Sequence, residues 1–271
     1  MRRSWRSIKT ERRIRKGRKN VARIDLNCDL GESFGAYTIG LDDQVIPFIT
    51  SANVACGYHA GDPVVMEKTV ALCKASQVQV GAHPGFPDLM GFGRRNMAVK
   101  PEEAGAYVKY QVGALKAFCD AAGVPLHHVK PHGALYNMAG KDHALALAIA
   151  SAVQAVDPEL TLLALSGSQM VEAAKEIGLP YASEVFADRA YLSDGSLVPR
   201  SQPGALIEDE DLAVERVVRM ALEGKVTVID GTDIAIQADS VCVHGDGPKA
   251  LAFVERIAQT LRREGVEVRA F

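Results

Sequence analysis

The sequence predicts an α/β fold of the β/α-barrel type, and three observations carry that expectation. From Val21 onward, short β-rich runs alternate with longer helical patterns, as in βα units around a parallel sheet. Seven or eight such runs follow one another, which favours a closed barrel over an open sheet. Six of the seven histidines, His59, His83, His127, His128, His132 and His244, fall within or just after these runs. That register gathers polar groups at one mouth of a barrel, where the catalytic residues of such folds collect.

Composition bounds the reading. The chain has 271 residues, 48% hydrophobic and 24% charged, which suits one large domain. No apolar run approaches the roughly 20 residues of a membrane-spanning helix, so no membrane association is expected. Five cysteines without Cys-x-x-Cys spacing indicate neither a disulfide framework nor a cysteine-rich zinc site, and a reducing cytoplasm is the expected setting. Residues 1–20 hold ten Lys or Arg against one Glu, a local charge of +9 that leaves −11 on the other 251 residues. Such an arm reads either as a nucleic-acid or membrane-surface binder or as a disordered extension. With Trp5 its only aromatic residue, the second reading is preferred and no nucleic-acid partner is expected. No apolar segment follows the basic residues as a secretory signal requires. Residues 1–22 are therefore read as an extension and 23–271 as a single barrel domain.

The first strand is expected at 22–26. Beyond it Asp25, Asn27 and Asp29 alternate, and in extended chain residues two apart share a face, so one carboxylate can bind a metal while another acts as base. An ordinary strand end with Asx turns would look the same. The second strand, 51–55, leads into Asn53, Cys56, His59 and Asp62 around Gly57 and Gly61. His59, on a glycine-flanked turn, is free to act as ligand, base or proton shuttle. Asp62 before Pro63 is a candidate acid and equally a helix N-cap. Cys56 beside His59 reads as a nucleophile or a buried thiol.

The third strand, 78–82, runs into His83-Pro84. The segment 84–100, with three glycines, two prolines and Arg94-Arg95, looks like a mobile active-site loop. A helix follows from Pro101 toward Ala121 and stops at Gly123. The fourth strand, 126–130, ends in Lys130-Pro131-His132, where lysine suits a carboxylate and histidine a metal or proton. Helices are expected at 142–156, 169–177, 209–222 and 248–263, and strands at 160–165, 181–186, 226–229 and 240–243. After the sixth strand come Glu184, Asp188 and Arg189, the arginine suited to a substrate carboxylate or to scaffold pairing. His244-Gly245-Asp246-Gly247 enters a helix as a candidate anion site. No phosphate loop, dinucleotide fingerprint or G-x-S-x-G elbow is present, and Leu165-Ser166-Gly167-Ser168-Gln169 fails the last of these.

Six segments in order, DLNCDLGESFG (25–35), NVACGYHAGDP (53–63), GAHPGFPDLMGFGRRNM (81–97), VKPHGALYN (129–137), EVFADRAY (184–191) and VCVHGDGP (241–248), resemble the LamB/YcsF family. The resemblance runs from about Arg23 to the C-terminal helix, and residues 1–22 have no counterpart in it. It implies a distorted seven-stranded β/α barrel, TIM-like and related to polysaccharide deacetylases. The implied activity is ATP-dependent hydrolysis of the lactam 5-oxoproline to L-glutamate, with B and C subunits as partners. ATP is then expected to be shared with or supplied by those partners. That chemistry asks for a carboxylate receiver (Lys130, Arg94 or Arg189) and a general base (Asp29, His59 or Asp62). Asp25, Asn27, His83, His132, Glu184 and Asp188 are the further catalytic candidates, and His244 and Asp246 the further cofactor-binding ones. The alternatives are a metal-dependent amide or acetyl hydrolase and a non-catalytic lactam-binding subunit. In the first of these, likeness to the deacetylases makes Asp29, His59 and His132 the ligands of a divalent metal.

Overall fold

The computed structural model describes residues 22–243 and 248–271. The basic extension up to Val21 and the candidates His244 and Asp246 lie outside the described residues. Strands β1 (Arg23–Leu30), β2 (Ser51–Ala55), β3 (Gln79–His83), β4 (Leu126–Val129), β5 (Thr161–Leu165) and β6 (Tyr181–Phe186) pair in order, all parallel. A short antiparallel hairpin, β7 (Lys225–Thr227) and β8 (Asp233–Ala235), comes next. Strand β9 (Ser240–Val243) then pairs in parallel with both β6 and β1, which closes a seven-stranded barrel. The two-residue β10 (Glu267–Val268) extends the edge of β1 at its start.

Eight α-helices lie among the described residues: α1 (Asp42–Val45), α2 (Pro63–Ser76), α3 (Pro101–Ala122), α4 (Gly133–Ala139), α5 (His143–Val156), α6 (Gln169–Ile177), α7 (Glu210–Glu223) and α8 (Pro248–Arg263). Their limits follow local chemistry. Asp62 caps α2 by accepting from Val64 and Val65 N–H at 2.8 and 3.0 Å, with Pro63 next in line. Asp142 and Asp209 cap α5 and α7 in the same way. Gly123 ends α3 with φ +67, the left-handed conformation that glycine adopts without a Cβ penalty. No described helix is long and apolar enough to cross a membrane.

The barrel wall divides its residues by parity. Along β1, Ile24, Leu26, Cys28 and Leu30 join the hydrophobic layer beneath the helices, whereas Asp25, Asn27 and Asp29 face inward. The same alternation places Ser51, Asn53, Glu184 and Ser240 inside, all fully buried. The interior is thus a hydrogen-bonded polar column, while apolar packing lies between sheet and helices.

Three expectations are corrected. The run 226–229 is not a barrel strand, because Asp230-Gly231 turns the chain into the β7–β8 hairpin: Gly231 takes φ +87 and Val228 N–H donates to Thr232 O at 2.8 Å. Strand β1 reaches Leu30, so Asp29 belongs to the strand and not to a loop after it. The segment 84–100 is tied down: Gln111 exchanges two hydrogen bonds of 2.9 Å with the Gly85 backbone, His132 N–H donates to Pro84 O at 2.8 Å and Ala134 N–H to Gly93 O at 2.9 Å. It is a pinned rim with a turn of 3-10 helix at Leu89–Gly91, not a free lid.

Candidate active site

The polar column is ordered along the barrel axis. At its N-terminal end Asp25 accepts hydrogen bonds from Thr50, Ser51 and Ser240 hydroxyls. Burial pushes its carboxyl up to about 6, against the pull of those hydroxyls. Asn27 comes next, donating to Ser240 Oγ at 2.7 Å and accepting from Asn53 Nδ2 at 2.8 Å. Asn53 also donates to Asp29 Oδ1 at 2.8 Å and accepts from His128 Nε2 at 2.8 Å. Asp25 and Asp29 therefore share a face without converging, since four residues of strand separate them by about 13 Å. Asp25 is part of the closed interior, away from the mouth.

His128 fits only because Gly81 faces it on the neighbouring strand: a Cβ there would overlap the imidazole ring. Burial, then His127 and Lys130, hold His128 well below the usual histidine range, so it is a neutral donor.

Lys130, 3% exposed, stands at the next level. Its ammonium lies 3.0 Å from Asp29 Oδ1, 3.1 Å from Asn27 Oδ1, 2.8 Å from Glu184 Oε1 and 3.3 Å from Cys242 Sγ. Burial alone would lower its pKa, but Asp29, Cys242 and Glu184 raise it well above the usual range. Three N–H groups facing four acceptors leave none for a ligand, so the expectation that Lys130 receives a substrate carboxylate is corrected. Glu184 accepts from Tyr136 O–H at 2.6 Å on its other oxygen.

Asp29, Glu32, His59, His83 and His132 form the mouth. Against the raising effect of burial, His83 and Lys130 hold the Asp29 carboxyl well below the carboxylate range. Its second oxygen is 3.2 Å from His83 Nε2. His83 Nδ1 lies 2.7 Å from the Lys130 carbonyl, and His132 Nε2 lies 2.8 Å from the Phe92 carbonyl. Between them His83 Nε2 and His132 Nδ1 are 2.9 Å apart. Glu32 Oε1 is 3.1 Å from His59 Nε2 and 3.7 Å from His132 Nδ1. The His59 ring stacks on His132 with centroids 3.7 Å apart, and His59 Nδ1 is buried with no hydrogen-bond partner. Gly93, at φ +62, permits this packing, since a Cβ there would come within 2.7 Å of His59 Cβ. Burial, then His83, lowers His132 to about 3; burial, then His132, holds His59 well below its usual range.

Other candidates fall elsewhere. Asp62 is spent on the α2 cap and on Gly35 N–H at 2.8 Å, apart from the cluster. Arg189 is buried and donates to Val198 O at 2.7 Å, which holds the 188–207 insertion together; Asp188 begins that insertion, its carbonyl accepting from Ile207 N–H at 2.9 Å. Arg189 is scaffold, not a cofactor contact. Arg94 is exposed at the rim with its guanidinium 5.0 Å over the Phe92 ring, and no described carboxylate pairs with it. Cys56 donates to Val54 O at 3.2 Å, and burial pushes its thiol up to about 12, which removes it as a nucleophile. Of the three expected metal ligands, His59 and His132 belong to a close group of four donors whose carboxylate is Glu32 and whose third histidine is His83; Asp29 stands behind His83. The sequence singled out neither Glu32, Tyr136 nor Ser240, and it grouped Asn53 and His128 with the candidates without giving either a role of its own. Glu32 directly follows Gly31, which turns the chain out of β1 at φ +69, and that turn was the available signal.

Comparison with known proteins extends over nearly the whole barrel. The LamB/YcsF family model matches residues 24–271. A Clostridium beijerinckii protein named as the A subunit of 5-oxoprolinase is 62% identical over 246 residues, covering 91% of this chain and 96% of that protein. A Bacillus subtilis protein of the same name is 59% identical over 247 residues, covering 91% and 96%. The crystal structure of a lactam utilization protein from Thermus thermophilus superposes with a TM-score of 0.88 at 52% identity, covering 92% of this chain and all of that one.

Proposed function

Because the chain belongs to the LamB/YcsF family, we propose that it is the A subunit of an ATP-dependent 5-oxoprolinase, a hydrolase that opens the lactam of 5-oxo-L-proline to L-glutamate with partner subunits B and C. The names of relatives at 59% and 62% identity support the assignment. The observation that carries the enzyme reading is the mouth itself: an ionised Asp29, 21% exposed at its side chain, is clamped by buried Lys130 and His83. Ordinary packing does not hold a charged carboxylate in so costly a setting at an open barrel end.

A five-membered lactam resists hydrolysis, and phosphorylation of its carbonyl oxygen by ATP makes the ring carbon attackable by water. Ring opening and phosphate release each consume one water, and the ring nitrogen must gain protons as its C–N bond breaks. Exposed Arg94 is suited to the substrate carboxylate, as an arginine without an acid of its own. Asp29 is held too acidic for a strong base, so its part is to orient His83, leaving proton movement to the imidazoles. ATP is shared with or supplied by the partners, a reading supported by the missing phosphate loop. Five buried free cysteines support a cytoplasmic site of action.

The test is glutamate release from 5-oxoproline and ATP by the chain alone and with its two partners, in wild-type and Asp29→Asn forms. Partner-dependent release lost in the variant is expected; undiminished release by the variant overturns the placement of the site. The Glu32, His59, His83 and His132 group favours a second reading, a metal-dependent amide or acetyl hydrolase. Amide or acetyl cleavage without nucleotide or partners would establish it instead.

A further inference from the structure

We propose that Glu32, His59, His83 and His132 form a binding site for one divalent first-row transition metal ion, with zinc the best fit. The argument begins from tautomers. A carbonyl only accepts, so His83 Nδ1, 2.7 Å from Lys130 O, carries a hydrogen, and His132 Nε2, 2.8 Å from Phe92 O, does so too. A neutral imidazole has one N–H. In the neutral rings the inward nitrogens, His83 Nε2 and His132 Nδ1, are then both lone pairs, yet they face each other at 2.9 Å, and Asp29 Oδ2 faces the same His83 Nε2 at 3.2 Å. Glu32 Oε1, 3.7 Å from His132 Nδ1, adds a further acceptor. His59 Nε2, 3.1 Å from Glu32 Oε1, can donate to that carboxylate, but no donor lies between the two facing imidazole nitrogens, an arrangement that a shared cation stabilises.

The spacing selects a metal over a proton. A proton satisfies one nitrogen–nitrogen line, whereas four ligand atoms lie within 4.8 Å of one another. Tetrahedral zinc, with bonds of about 2.1 Å, separates its ligand atoms by about 3.4 Å. The contacts here are 2.9, 3.1 and 3.7 Å, on both sides of that figure. Three imidazoles and one carboxylate favour zinc and its neighbours over magnesium or calcium, which take oxygen ligands. The N–H of His83 and of His132, each given to a backbone carbonyl, is the outer support that orients metal-bound histidine. When bound, such an ion supplies Lewis-acid polarisation of a carbonyl oxygen or a bound water of lowered pKa. This site adds to the lactam reading without resting on it.

The experiment uses the full chain, stripped with chelator, dialysed, and titrated with Zn²⁺ and with Co²⁺. Bound metal is counted by elemental analysis and the Co²⁺ form is read by its visible d–d absorption. One equivalent per chain with a tetrahedral Co²⁺ spectrum is expected. His83→Ala and His132→Ala should weaken binding at least about tenfold, the loss that even an outer-shell partner produces. Glu32→Gln, which keeps the side-chain volume, serves if a histidine variant fails to fold. His143→Ala, at an exposed histidine on α5, should bind as the wild type does. Folded wild-type protein that takes up no metal overturns the proposal in favour of a shared proton. Equal uptake by wild type, Glu32→Gln and the histidine variants overturns it in favour of another site. Neither readout involves glutamate release, so failure here is distinct from failure of the lactam reading.

Discussion

Replacing Lys130 by Met isolates what holds the interior together. The substitution keeps an unbranched chain of similar length and removes one ammonium, which lies 2.8 Å from Glu184 Oε1 and 3.0 Å from Asp29 Oδ1 in the native protein. Glu184 is fully buried and would keep only Tyr136 as a donor. Removing one partner of a buried ion pair leaves an uncompensated charge at a cost of about 3–5 kcal/mol. For a domain of this size each kcal/mol moves the melting temperature by about 2–4 °C, so a fall of about 6–20 °C is expected at neutral pH. The sign with pH follows from Lys130, whose pKa is raised in the folded state: its contribution is full below the ordinary lysine range and is lost as pH rises through the folded value. Thermal unfolding followed by circular dichroism, in Lys130→Met, Glu184→Gln and the double variant, separates the pair from the individual residues. The double variant should recover about 0.5–3 kcal/mol relative to additivity. A Lys130→Met protein melting within about 2 °C of wild type, below the effect of a single kcal/mol, would refute the reasoning.

Two further outcomes test the ends of the column. Asp25, raised from 3.8 to about 6, binds more protons folded than unfolded across that window, so its contribution to stability should fall by roughly 2 kcal/mol as pH climbs from about 4 to about 6. Urea midpoints of Asp25→Asn should lack that component, and parallel pH profiles for variant and wild type would show that Asp25 is not buried as described. At the other end, Asp62→Ala should lose the α2 cap and melt about 2–4 °C lower while leaving partner-dependent glutamate release intact. A tenfold fall in that release at unchanged folding would return Asp62 to the chemistry.

Local features of the sequence support sound expectations wherever near neighbours decide the structure. Asp62-Pro63 and Gly123 mark helix ends because capping is settled within one turn of chain. The alternation of Asp25, Asn27 and Asp29 shows a shared face because strand parity is a local property. What depends on strands distant in sequence was legible only in part. The strand-end register of His59, His83 and His132 pointed to one mouth, but the 2.9 Å contact of His83 with His132 across 49 residues, and the place of Glu32 beside them, had no local sign. Lys130 looked available because its acceptors come from β1, β6 and β9, all remote in sequence. The β7–β8 hairpin differs, since Asp230-Gly231 between two apolar runs was a local signal, outweighed by the expectation of one more barrel strand.

The division of labour across the wall explains how one short barrel combines stability with a charged interior. Outward residues such as Leu26, Leu30 and Val54 supply the apolar burial, about 1.5–3 kcal/mol for each large side chain, and they do so without touching the column. Many inward residues carry charge, an amide, an imidazole or a hydroxyl and pair with one another, as Asn53 pairs with Asn27, Asp29 and His128. The two faces should therefore fail in different ways: an outward truncation by opening a cavity, an inward one by stranding a charge or a donor. Gly81 joins the two regimes, because its missing side chain is what lets His128 on the neighbouring strand enter the column. Through His128, Asn53 and Asp29 in turn, a residue bearing no functional group fixes where the mouth holds its charge.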